Sequence, residues 1–188
     1  MIRQNLKELF ILALIAEGLI LAYAYFSNPF ETGETFRLAA RYSGRLSLFF
    51  ILATFILTTL NWSDLRGRFK EKFIGLIALF SVLHAIHFVF LALSLYLNHI
   101  ELVPFKLLGG TLGYLTLLIY PWVLKAKKPP FWMDYFYFYY LLIIIMVSIL
   151  SRLSGAFEGV EPSVLHYVGL IITGAMLLFH FSRIYRNA

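Results

Sequence analysis

The chain has 188 residues, 61% of them hydrophobic and only 14% charged; soluble domains carry nearer a quarter, so a lipid bilayer is its natural solvent. With no cysteine, disulfides, thiolate metal sites and cysteine nucleophiles are excluded together. The net charge of +6 lies in the joints between apolar runs, the pattern of membrane topology signals, and argues against nucleic acid as a partner.

A hydrocarbon core of about 30 Å needs roughly 20 helical residues. Six segments reach that length, at about 8–26, 44–61, 73–97, 107–124, 131–150 and 163–182. The first follows "MIRQNLKE" but is long for a signal h-region, lacks a small-residue cleavage site, and reads as a retained span. The joints "SNPFETGET", "NWSDLRGRFKEK", "NHIELVP", "KAKKPP" and "SGAFEGVEPS" are short and polar, which makes neighbouring spans antiparallel. The expected fold is therefore all-α, a polytopic membrane protein with one six-transmembrane-helix domain over residues 1–188. Pro162-Ser163 is a helix-start signal for the last span.

With an even span count both termini share a side. That side holds eleven Lys and Arg (Arg3, Lys7, Arg66, Arg68, Lys70, Lys72, Lys125, Lys127, Lys128, Arg183, Arg186) against five opposite (Arg37, Arg41, Arg45, Lys106, Arg152). Both termini are expected to be cytoplasmic, and the expected location is a bacterial inner (plasma) membrane. Before the second span, "ETFRLAARYSGRL" sets Arg37, Arg41 and Arg45 four apart, on one helical face. Such a face suits first an interfacial helix on lipid phosphates; the sharper alternative is a cationic lip for a bound anion, such as a haem propionate.

Ionisable groups inside a bilayer are costly and mark functional sites by default. Here they are Glu17 in span one, His84 and His87 in span three, and His180 in span six; His99 and His166 lie near the outer side. His84 and His99 are fifteen apart and His166 and His180 fourteen, displacements of ~21–23 Å along a helix. Helices that stack two b-type haems use such spacings, since each iron takes an imidazole from each of two facing helices. Depth opposes the simple pairing: from the cytoplasmic ends His84 is about 16 Å deep and His180 about 4 Å, at 1.5 Å per residue. Glu17, about 14 Å deep, matches His84, and the two could share a proton or form an ion pair between spans one and three.

Two other features read as structural. Gly109, Gly110 and Gly113 in span four permit close helix approach. Span five opens with "FWMDYFYFYYLL", where Phe131, Trp132 and Tyr135 suit an interfacial belt and the deeper Tyr139 and Tyr140 fill bundle space. The chain carries no HExxH, phosphate-loop or nucleophile-elbow motif, so hydrolase and nucleotide-binding readings lack support.

The order "ARYSGRLSLFFILATFILTTL", "LRGRFKEK", "FIGLIALFSVLHAIHF" resembles the ferric reductase-like transmembrane domain, a superfamily of haem b membrane domains. Ser43-Gly44, the basic loop from Arg66 to Lys72, Gly75 and His84 stand where that superfamily has its small-Gly signature, basic loop, and Gly followed by histidine. The match covers about a quarter of the chain. It implies haem b on His84 or His87, with His99 in the place of an outer ligand. It also implies electron transfer across the bilayer from a separate reductase or quinone donor. The family's opposing ligands come from the fifth span, which here has no histidine: "WMDYF" carries Phe136 in that place. His166 or His180 would have to help, or the aromatics of span five fill a cavity that has lost its haem. Two readings follow: a haem b electron-transfer protein, and a haem-free membrane protein with an interaction, assembly or small-ligand role and a Glu17, His84 and His87 polar network.

Overall fold

The computed structural model describes residues 2–65, 67–100, 104–126, 130–155 and 162–187. Outside them lie parts of the basic and polar joints, Arg66, Lys127 and Lys128 included, as do the side chains of Arg3, Lys106, Phe131 and Arg186 and the surroundings of Gly109. The described residues form six α-helices: α1 (Ile2–Ser27), α2 (Thr32–Leu60), α3 (Lys70–Leu97), α4 (Pro104–Ala126), α5 (Phe131–Leu153) and α6 (Val164–Asn187). A 3-10 turn at Trp62–Asp64 follows α2. Helix is the expected outcome, because an apolar segment without water must satisfy every backbone N–H and C=O within itself.

Five helices, all but α4, are long and apolar enough to cross a membrane over described residues. The expected fourth span, 107–124, coincides with α4, but its first side chains lie outside the described residues. The largest departure in the element boundaries is at α2. Its helix begins at Thr32, three turns before the expected start at 44, and takes in the whole arginine-bearing stretch. Ser43-Gly44 does not break it, because both residues are turned onto neighbouring helices. α2 is also the most enclosed of the five, with 44% of its apolar window buried against 39% for α3 and 17% for α1.

The chain divides into two compact units. Unit 1 comprises Met1–Thr54 and Ser63–Lys106, hence α1, most of α2, and α3. Its packing rests on small residues: Ala24, Ala39 and Ala40 meet Phe90 in one cluster, and Ala13 meets Leu79 and Leu83 in another. Alanines at such contacts let helices approach closely, which supplies the van der Waals attraction that replaces the hydrophobic effect in lipid. At the end of α3, Asn98 Nδ2 donates to Gly33 O at 3.0 Å and to Ser94 O at 2.8 Å. Gly33 makes room for this amide: a Cβ would stand 2.7 Å from Asn98 Oδ1 and displace the side chain.

Unit 2 comprises Phe55–Trp62 and Leu107–Ala188, hence the last turns of α2 with α4, α5 and α6. Its core includes Phe55, Leu117, Leu124, Tyr137, Phe138 and Leu142, each under 2% exposed. α5 turns Asp134, Tyr137, Phe138, Leu141 and Leu142 inward, a three- and four-residue rhythm that defines one buried face. Pro121 lies inside α4, tolerated in an apolar helix where neighbouring groups re-satisfy the freed carbonyl.

Candidate functional sites on α2

In unit 1, three helices meet on two turns of α2. Ser43 Oγ donates to Glu17 Oε1 of α1 at 2.8 Å. One turn on, Ser47 Oγ and His84 Nδ1 of α3 share a hydrogen bond of 2.6 Å. Between them Gly44 receives His87: a Cβ at position 44 would lie 2.9 Å from His87 Cε1, so the imidazole rests directly on the α2 backbone. The His84 and His87 rings are 5.3 Å apart and Phe80 lies 5.3 Å from His84. Glu17 is only 3% exposed. Its second oxygen, Oε2, is buried and meets no hydrogen-bond partner among the described residues.

The expected carboxylate–imidazole pair thus becomes a pair of serine contacts. Glu17 and His84 each take a hydroxyl of α2, one turn apart, and Glu17 reaches Ser43 rather than His84. The cause is that α2 turns short hydroxyl side chains, one turn apart, onto α1 and α3.

In unit 2 the same helix repeats the device. Thr59 Oγ1 and His180 Nδ1 of α6 are 2.8 Å apart. His180 is 1% exposed and enclosed by rings: Phe55 at 4.9 Å, Trp62 at 4.8 Å, Tyr139 at 5.6 Å and Tyr135 at 6.1 Å. The deeper tyrosine Tyr139 of span five therefore packs on a histidine. Tyr140 instead stacks on Phe136 at 5.4 Å. Phe136 is 53% exposed and faces away from the unit 2 core. Two residues earlier Asp134 is fully buried and accepts a hydrogen bond from Tyr120, whose ring stacks on Tyr137 at 4.4 Å.

The remaining histidines serve helix ends. His99 is exposed and holds φ 54, the left-handed conformation that stops a helix. His166 Nδ1 accepts from the Ser163 backbone N–H at 3.1 Å, a capping contact at the first turn of α6. Of the arginines, Arg37 pairs with Glu34 at 2.6 Å, Arg45 lies 5.0 Å over the Tyr42 ring, and Arg41 is exposed. Of the span-four glycines, a Cβ at Gly113 would stand an ordinary 3.9 Å from Tyr140 and one at Gly110 would meet open space, so the tight approach falls at Gly44 instead.

Reading ionisable residues alone missed the hydroxyls Ser43, Ser47 and Thr59; Asp134, though ionisable, was passed over among the aromatics at the start of span five. A signal existed: Ser43, Ser47, Thr54 and Thr58 recur at helical spacing and all are buried. As a haem site the arrangement is incomplete within each unit. Unit 1 carries its histidines on and just after α3, and unit 2 carries both of its on α6, so neither unit alone presents facing imidazoles. Among the described residues no three His, Asp or Glu side chains converge as metal ligands. Comparison with protein families, with curated proteins and with solved structures finds no match for this chain.

Proposed function

We propose that the chain is a six-span membrane protein with both termini cytoplasmic, and that it binds a small hydrogen-bond donor inside the bilayer at Glu17, without haem. The observation that carries this reading is the buried Glu17 Oε2 left unmet while Oε1 accepts from Ser43. An open carboxyl oxygen away from water is costly unless a ligand meets it. His84 and His87, fixed by Ser47 and Gly44, complete the polar lining. The test is an apolar carbodiimide applied in detergent, with adducts located by peptide mass. Modification at Glu17, absent in Glu17→Gln, is expected; an unreactive Glu17 would show a sealed structural contact and overturn the reading.

The ferric reductase-like reading stands second, on one specific observation. The Ser47 contact at His84 Nδ1 is the kind of outer partner that orients a ligating imidazole. The optical spectrum separates the two. Protein produced with haem in excess is expected to be colourless, oxidised or dithionite-reduced. A Soret band with a reduced alpha band, lost in His84→Ala or His87→Ala, would replace the first reading with the second.

A further inference from the structure

Helix α2 has 29 residues, about 43 Å at 1.5 Å per residue, against a hydrocarbon core of about 30 Å. The surplus falls at its N-terminal end, because no charged residue occurs from Leu46 to Leu60. Three arginines occupy that end at four-residue intervals, on one face. The side chains are not equivalent. Arg37 is committed to Glu34 at 2.6 Å. Arg45 and Arg41 are both exposed, and neither has an ion pair with a carboxylate among the described residues. Arg45 lies on the Tyr42 ring, which in turn meets Tyr23 of α1 edge-on at 5.6 Å. Tyrosines of this kind sit at headgroup level, so the Tyr42–Tyr23 pair holds the Arg45 guanidinium at the depth of lipid phosphates.

We propose that Arg41 and Arg45 form a binding ledge for the phosphate of an anionic phospholipid, with Tyr42 as its platform and Arg37 excluded by Glu34. The guanidinium fork matches two phosphate oxygens at once, and two exposed cations without a protein carboxylate offer that match to an anion in the headgroup layer. The ledge lies wholly in unit 1 and is independent of what Glu17 binds.

The experiment places the whole protein in nanodiscs of phosphatidylcholine with a minor share of phosphatidylglycerol and counts retained lipids by native mass spectrometry. Phosphatidylglycerol is expected to be enriched over its bulk share. The enrichment should fall about fivefold for each of Arg41→Gln and Arg45→Gln, the contribution of one cation near a membrane surface. Arg37→Gln should leave it unchanged, and Arg41→Lys with Arg45→Lys should keep only part of it, since an ammonium keeps the charge but not the two-oxygen fork. Equal enrichment in the Arg41→Gln, Arg45→Gln double variant overturns the ledge, as does an equal loss in Arg37→Gln. Displacement of the lipid by millimolar inorganic phosphate would assign the site to a free anion and overturn the lipid as its occupant.

Discussion

At the level of single residues, Gly44 and His87 form a contact that can be tested as a pair. A methyl group on residue 44 would stand 2.9 Å from His87 Cε1, inside van der Waals contact. Gly44→Ala is expected to destabilise by about 1–3 kcal/mol, the usual cost of overpacking, and by much less in a His87→Ala background. Reversible unfolding in mixed detergent reads both numbers, and equal costs in the two backgrounds would remove His87 as the reason for the glycine. The serine contacts give a second cycle. Interhelical hydrogen bonds in membranes average about 0.6 kcal/mol and reach about 1.7, so Ser43 with Glu17 and Ser47 with His84 should each show coupling of that size. Glu17 with His84 should show almost none, since each bonds to its own serine. A large Glu17–His84 coupling would restore the direct pair.

Among the elements, α2 and α5 decide what each unit encloses. On α5, Asp134 is buried and held by Tyr120, so Tyr120→Phe removes a donor from a carboxylate that water does not reach. A loss of about 1–3 kcal/mol is expected on unfolding, while Phe136→His, on the exposed side, should not create a haem spectrum even with haem supplied. A Soret band in that variant would show that position 136 faces a ligand. These two helices also show what a sequence reveals. Apolar runs announce helices because the bilayer allows little else, and five of the six expected spans recur as helices long and apolar enough to cross. The four-residue spacing of the arginines already fits a helical face; what the sequence did not show is that this stretch and the span form one unbroken helix from Thr32. Glu17, His84 and His180 stood out because charge is rare in such runs. Their partners did not: a serine or threonine in a membrane helix can satisfy itself on its own carbonyl four residues back, as Thr173 does on Gly169, and so carries no visible cost. His99 and His166 looked like ligands by spacing alone, and local backbone geometry gives both a helix-end role.

For the whole molecule, the side on which each joint emerges separates the proposed six spans from five. The chain contains no cysteine, so single cysteines can be placed without a background. Lys7 precedes the apolar part of α1, His99 follows α3, and Arg183 lies near the end of α6; all three side chains are exposed. Three crossings separate Lys7 from His99 and six separate Lys7 from Arg183 if α4 spans like the rest. Lys7→Cys and Arg183→Cys are then expected to react with a membrane-impermeant maleimide only from the cytoplasmic side, and His99→Cys only from outside. Should α4 not cross, Arg183→Cys would move to the outside while the other two stayed in place. The charge balance supports the six-span outcome. Moving α6 to the opposite orientation would put Arg183 and Arg186 outside, against the bias of Lys and Arg for the cytoplasmic face. Intact cells and inverted vesicles labelled in parallel give the answer for each position, and reaction of Lys7→Cys from outside would reverse the orientation altogether.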